Sequence, residues 1–435
     1  MRSALLDPRP LRLPDFRRLY LSSAVTAVGG QLTAFAVPLQ LYRLTGSSLW
    51  VGLGSSAGLL PMVLAALWGG AVADTADRRR LLLLGNTGIA LCSLLLWAQA
   101  AAGLASAPLL LVLIAAQQAC FGANSTVRGA LAPRLVPAEL LPAANALQSM
   151  LSWLGGIGGP LLAGILVAFT GLGPLYLLDA LALLAALLWV RKLPPLPPTL
   201  AEGAADRTDS TAPAGRSPLR DIADGFRYLA GRRILLVAYL ADFTAMFLGM
   251  PVALFPQLAR QGLGTAAIGV LSAALSGGAV LAGALSGSFV RVRRHGVMVT
   301  CGVCGWGLTM VGLGLVRSLW ASAVLLALGG AGIVVLSVFR KTILQSAATD
   351  GMRGRLQGAD TVIAAGGPRL AGLAHGAAGT ALGTGWAISG GGLLVVLVML
   401  ATVAAAPAFW RYRPVPAPLT AAPASGPAPR PAHAD

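Results

Sequence analysis

Three acids fall inside or at the edge of long apolar stretches: Asp242, Asp179 and Asp360. A carboxylate in hydrocarbon costs several kcal/mol unless it has a partner or a task, so these positions are candidates for carrying protons across a membrane. Asp242 is the first choice, with a structural ion pair as the competing reading. Asp179 lies only a turn past the start of its stretch, which favours a polar anchor at the membrane surface or contact with the positive end of its helix. Asp360 has Arg353 and Arg355 close by for pairing.

Cations in such stretches are equally exceptional. Arg369 sits about 13 residues, or 20 Å, into its helix, after the helix-breaking Gly366-Gly367-Pro368. There it can receive an anionic substrate, hold the charge of Asp242, or both; a purely structural pairing is the alternative. Arg128 and Arg340 lie near the ends of their stretches, where snorkelling would let them reach headgroups. Gln117 and Asn124 are seven apart and share a helical face, giving a polar stripe that suits a wet cavity. With Arg369 and Gln31 they are the substrate-cavity candidates. Four cysteines, Cys92, Cys120, Cys301 and Cys304, fall in or beside apolar stretches. Cys301-x-x-Cys304 has no paired His or second Cys-x-x-Cys, so no metal is expected. No nucleophile–base pair or phosphate-cradling loop is present either, so the chain is expected to be neither an enzyme nor a cofactor binder.

The elements that must position these residues follow from composition. Of 435 residues, 56% are hydrophobic and 11% charged, with mean hydropathy +0.76, far more apolar than a soluble domain. A membrane-crossing helix needs roughly 20 apolar residues. Stretches of that length begin near Leu19, Leu49, Leu81, Leu109, Leu141 and Leu175, then Leu235, Ile268, Val297, Trp320, Leu356 and Trp386. The expected fold is an all-α membrane protein of twelve transmembrane helices in two six-helix bundles, residues 1–190 and 234–412. Between them runs a linker, 191–233, with Pro194-Pro195-Leu196-Pro197-Pro198 and a short surface helix from Ser217 to Leu229. A Pro/Ala-rich tail, 413–435, is expected to be disordered.

Arginines crowd the amino terminus, Arg78 to Arg80, Arg134, the linker, Arg291 to Arg294, Arg353 with Arg355, and Arg411 with Arg413; the opposite connections carry Arg43, Arg260 and Arg317. Both termini are therefore expected in the cytoplasm. The net charge of +17 reads as topology signals and anionic-lipid contacts, not as a nucleic-acid footprint, because no basic helix with interleaved aromatics stands apart. Residues 1–18 have no apolar core or small-residue cleavage site, so no cleavable signal peptide is expected.

One loop has its own pattern: Gly69-Gly70-Ala71-Val72-Ala73-Asp74-Thr75-Ala76-Asp77-Arg78-Arg79-Arg80. Gly70 permits close helix approach, Asp74 four residues later shares its face, and the arginines mark where a tight turn leaves the bilayer. The halves also echo each other. Gly158-Gly159-Pro160-Leu161-Leu162-Ala163-Gly164 returns as Gly366-Gly367-Pro368-Arg369-Leu370-Ala371-Gly372, an offset of 366 − 158 = 208 residues, and Arg128 returns as Arg340, an offset of 340 − 128 = 212. A weaker echo of the first loop is Gly287 to Arg294, with Arg291 in the place of Asp74. Duplicated bundles suit alternating access around a central site.

The Gly70, Asp74, Arg78, Arg79 loop, the Gly159, Pro160, Gly164 helix and the duplicated layout resemble the major facilitator superfamily over all but the tail. Asp15-Phe16-Arg17-Arg18, Leu135-Val136-Pro137-Ala138-Glu139, Ala143-Ala144-Asn145-Ala146-Leu147, Asp224-Gly225-Phe226-Arg227-Tyr228-Leu229 and Phe255-Pro256-Gln257-Leu258-Ala259 make it most similar to the enterobactin exporter branch of siderophore efflux proteins. The resemblance implies a monomeric exporter in the bacterial cytoplasmic membrane, moving a small organic molecule outwards against protons. It makes the first loop a conformational switch and associates Arg128 with proton transfer. The Gly155 to Pro160 run resembles the signature of drug/proton antiporters. Two departures stand out: Asp77 replaces the usual glycine, and the first helix reads Gly29-Gly30-Gln31-Leu32 where many relatives carry an acid. A multidrug or macrolide pump is the second reading, and a non-transporting receptor or scaffold a third.

Overall fold

A computed structural model describes residues 8–73, 76–129, 131, 135–137, 140–195, 227–264, 267–285, 292, 294–347 and 353–413. Among these residues twelve long helices follow one another: α1 (Pro14–Thr45), α2 (Ser48–Ala57 and Leu59–Ala73, interrupted at Gly58), α3 (Arg78–Ala101), α4 (Ala107–Gly129), α5 (Leu141–Thr170), α6 (Gly173–Arg191), α7 (Arg233–Leu248), α8 (Ala267–Ala284), α9 (His295–Leu315), α10 (Leu319–Ala347), α11 (Arg353–Leu382) and α12 (Thr384–Ala405). Each lies where an apolar stretch was expected. The largest offset is α1, which starts at Pro14 rather than Leu19 because Pro14 at its first position and Asp15 in its first turn favour helix initiation. It ends at Gly46, whose φ of 66° only a glycine adopts at little cost.

Ten helices, among the described residues, are long and apolar enough to cross a membrane. The other two, α5 and α11, are each 30 residues long and contain the internal prolines Pro160 and Pro368. They occupy the places of the fifth and eleventh stretches, and the part of α5 from Leu154 to Thr170 is itself apolar. Phe169 and Trp386 remain 86% and 77% exposed, an outward apolar surface that lipid, unlike water, solvates well.

The helices pack as two groups. In the first, α1 lies against α5 and α6, α3 against α4 and α6, and α2 against α4; in the second, α9 lies against α10 and α12, α8 against α10, and α7 against α11. The groups meet through α2 against α11 and α5 against α8. We call the side bearing the ends of α1 and α12 the terminal face, and the other the distal face. Most of the linker, residues 196–226, lies outside the described residues, as does the tail from 414; the expected surface helix is described only over its last turn, 227–230.

Candidate functional site

The α7 helix ends where Gly249, Met250 and Pro251 interrupt it, the Gly249 N–H closing the last turn on the Ala245 carbonyl at 3.2 Å. Two side chains from other helices also reach carbonyls of this last turn: Trp306 Nε1 is a second donor to the Ala245 carbonyl at 3.1 Å, and His375 Nε2 lies 2.9 Å from the Leu248 carbonyl. Upstream of the break, Asp242 Oδ1 faces Arg340 Nε of α10 at 3.5 Å, and both are buried. The Arg340 guanidinium also lies 5.5 Å from the centre of the Tyr239 ring. Arg340 therefore does not snorkel to a headgroup as its sequence position suggested: a carboxylate and an aromatic face hold it in the interior.

The first group uses the same residue types differently. Arg128 of α4 donates from Nη1 to Ser23 Oγ at 2.7 Å and, at the limit of bonding, to Thr26 Oγ1 of α1 at 3.5 Å; its Nη2 lies 3.4 Å from Asn86 Oδ1 of α3. It too turns inwards rather than to the headgroups. Asp179 of α6 is 1% exposed. Its Oδ2 accepts from Thr33 Oγ1 of α1 at 2.6 Å and from Ser93 Oγ of α3 at 2.8 Å, so it bonds across three helices instead of anchoring a helix end at the surface. Gln117 Nε2 donates to Ser93 Oγ at 3.0 Å, and Asn124 Nδ2 to Asn86 Oδ1 at 2.5 Å. Gln117 and Asn124 are buried: the stripe expected to line a wet cavity instead binds α4 to α3, because amide side chains with partners on a packed helix have no need of water.

The duplicated motif packs alike in both groups. A Cβ on Gly159 would overlap Gln31 of α1, and one on Gly367 would crowd Met246 of α7; Gly269 of α8 fits against the Pro160 carbonyl and Gly164, and Gly52 of α2 against the Gly372 carbonyl. Gln31 is thus half-buried over α5. Each motif joins its own group through the earlier glycine and the opposite group through the later one, which explains small residues at both spacings. Towards the distal face, Ser48 Oγ donates to Gln257 Oε1 at 2.5 Å, Ser47 Oγ lies 3.5 Å from Thr380 Oγ1, and Arg260 covers the Tyr42 ring at 5.7 Å. Arg369 reaches from α11 to Gln118 Oε1 of α4 at 2.8 Å, so it spans the two groups. A cavity of about 470 Å3 lies between them, lined by Leu59, Val63, Tyr239, Phe243, Gly367 and Leu370 among others.

At the terminal face, Gly70 lies within α2, Asp74 lies outside the described residues, and Arg78 and Arg79 open α3. Asp77 is the N-cap of α3, its carboxylate accepting from the Arg79 N–H at 2.8 Å. That local task accounts for an acid at this position. Arg79 Nη2 donates to the Arg191 carbonyl at 2.5 Å and Arg18 Nη1 to the Lys192 carbonyl at 2.8 Å, so the loop arginine and its neighbour satisfy the end of α6. Asp77→Ala is expected to cost about 0.5–2 kcal/mol, the usual loss on removing a cap, read as a lower unfolding temperature in detergent; Asp77→Asn should retain most of it. The side chains of Asp360, Arg353 and Arg355 lie outside the described ones, and so does their expected pairing.

Sequence reasoning missed Thr33, Ser93, Trp306 and His375. Hydroxyls in apolar helices read as neutral filler and an isolated Trp or His as packing; the signal was present only for α7, whose Gly249-Met250-Pro251 announces orphan carbonyls.

The profile of a family described as transmembrane secretion effector matches residues 7–412. The enterobactin exporter EntS of Shigella boydii serotype 18 is 31% identical over 420 residues, covering 94% of this chain and 95% of that one. Among solved structures, a POT family transporter in complex with 5-aminolevulinic acid superposes with TM-score 0.70 at 14% identity, over 91% of this chain and 96% of that one. A bacterial homologue of the iron transporter ferroportin in an inward-facing state does so with TM-score 0.64 at 18% identity, over 92% and 99%.

Proposed function

Because the chain belongs to the transmembrane secretion effector family of major facilitator transporters, we propose that it exports a siderophore or similar secreted metabolite by proton antiport with alternating access. It is a multi-pass inner-membrane exporter and not an enzyme. The likeness to an enterobactin exporter over nearly the whole of both chains carries the substrate reading. In this reading the terminal face, with both termini, is cytoplasmic, since the arginines concentrate there. The crossings of α2 with α11 and α5 with α8 then close the periplasmic side, and substrate enters from the cytoplasm.

Coupling is assigned to Asp242 and Arg340. Protonation of Asp242 would remove the negative charge 3.5 Å from Arg340 Nε, and substrate or a rearrangement of α7 at its break would have to compensate. Arg369, bonded to Gln118 across the groups, is suited to an anionic substrate because moving it breaks a contact that spans both. The apolar lining of the cavity by Leu59, Val63, Phe243 and Leu370 favours a second reading, efflux of lipophilic drugs.

Deleting the gene should deplete an extracellular chelator in iron-poor medium and raise it inside the cell, with restoration by the wild-type copy. An unchanged secreted profile together with drug sensitivity would move the assignment to drug efflux.

A further inference from the structure

Asp179 presents an unresolved charge problem that the Asp242–Arg340 pair does not. Its Oδ2 accepts two hydroxyl hydrogen bonds, from Thr33 and Ser93, but its Oδ1 is buried and has no hydrogen-bond partner. That oxygen lies against Gly29, where even a Cβ would be 2.6 Å from it. The carboxyl is six residues, about 9 Å, inside the distal end of α6.

No cation meets it among the described residues. From α1 it faces Gly29 and Thr33, and from α3 Ser93; α5 has no ionisable side chain. On α4, Gln117 backs Ser93. Arg128 bonds Ser23 and Thr26, nearer the terminal face on α1. On α6 itself, Tyr176 gives its hydroxyl to Gln40. Cys92, next to Ser93 on α3, turns to Cys120. The first group thus holds a buried arginine and a buried carboxyl on separate partners, where the second group pairs them.

An anion in this place would be buried with two neutral donors and one bare oxygen. A neutral acid there leaves only one O–H poorly matched, a smaller penalty than an unpaired buried charge. The pattern fits the neutral form: Oδ2, the carbonyl oxygen, accepts both hydroxyls, and Oδ1 carries the proton.

We propose that Asp179 is a second proton-binding site, in which Thr33, Ser93 and Gln117 position the carboxyl, loaded in this conformation and emptied to water when the helices of the first group part. On release the Oδ1–H bond breaks heterolytically, the electron pair stays on oxygen and the proton passes to water. The protonation stands on the geometry alone; its use in transport rests on the antiport reading above.

Infrared spectra of the purified full-length protein at neutral pH test the site. The carbonyl stretch of a protonated carboxyl should be present in the wild type, lost in Asp179→Asn and retained in Asp242→Asn. Thr33→Val and Ser93→Ala, which each remove one donor to Oδ2, should move that stretch to higher frequency, and they serve if Asp179→Asn does not accumulate. A spectrum indifferent to all three changes at the Asp179 site overturns the proposal. For the role in transport, the probe is enterobactin in proteoliposomes with an imposed pH gradient. Gradient-driven export that survives undiminished in Asp179→Asn overturns that role, whereas wild-type protein that moves no enterobactin overturns the siderophore reading and leaves the infrared result standing.

Discussion

Replacing Asp242 with Asn is expected to abolish proton-driven export while the protein still reaches the membrane. The change keeps the shape of the side chain and removes both its charge and its capacity to take up a proton. Arg340, 4% exposed, then keeps the Tyr239 ring but loses the carboxylate 3.5 Å away. Removing one member of a buried pair typically costs about 3–5 kcal/mol, because the remaining charge is left in a medium that solvates it poorly. Arg340→Met should be as destabilising as Asp242→Asn, or less so if Asp242 takes up a proton. The double variant Asp242→Asn with Arg340→Met buries no charge and should recover most of the lost stability. Export separates the two meanings of the pair: a coupling site stays silent in the double variant, whereas a purely structural pair regains transport along with stability. Recovery of gradient-driven export in the double variant would therefore remove Asp242 from the mechanism.

The second large effect is expected at the crossing of α2 and α11. A side chain at Gly52 would fall on the Gly372 carbonyl, and one at Gly376 on the Ser48 carbonyl, so the backbones meet with no room for a methyl group. Gly52→Leu should force the groups apart at the distal face. Overpacking of this kind costs about 1–3 kcal/mol, which corresponds to about 5–150-fold in the balance between conformations. The readout is a cross-link between Ser47→Cys and Thr380→Cys, whose parent hydroxyls are 3.5 Å apart. Its yield should fall sharply when Gly52→Leu is added, and export should fall with it. An unchanged yield would mean that this crossing does not hold the distal face closed.

How much of this was legible beforehand differs from residue to residue. The starts of the helices could be read to within a few positions because a crossing requires about 20 apolar residues, and Gly46, Pro14 and Asp77 mark ends by local rules. The repeat was also legible as text, and its meaning in space followed: Gly159 and Gly367 make the contacts within groups, Gly164 and Gly372 those between them. The partners of the charges were not. Asp242 meets Arg340 and Arg369 meets Gln118, where reading the sequence had offered Asp242 to Arg369. Asp179 was placed at a helix end and lies between three helices; Gln117 and Asn124 were turned to a cavity and face α3.

The reason lies in the solvent. In water, a polar face shows which side of a helix is outside; in lipid the outside is as apolar as the core, so the pattern along α4, α6 or α7 leaves the rotation of the helix nearly undetermined. The sequence alone determined that this chain crosses a membrane in two related halves, which acids and arginines must be accommodated inside it, and which glycines let helices touch. The tertiary structure decided which of those charges neutralise each other and which stand apart, because that depends on the azimuth of each helix and on contacts far apart along the chain, such as Asp179 with Ser93, 86 residues away, and Arg369 with Gln118, 251 residues away.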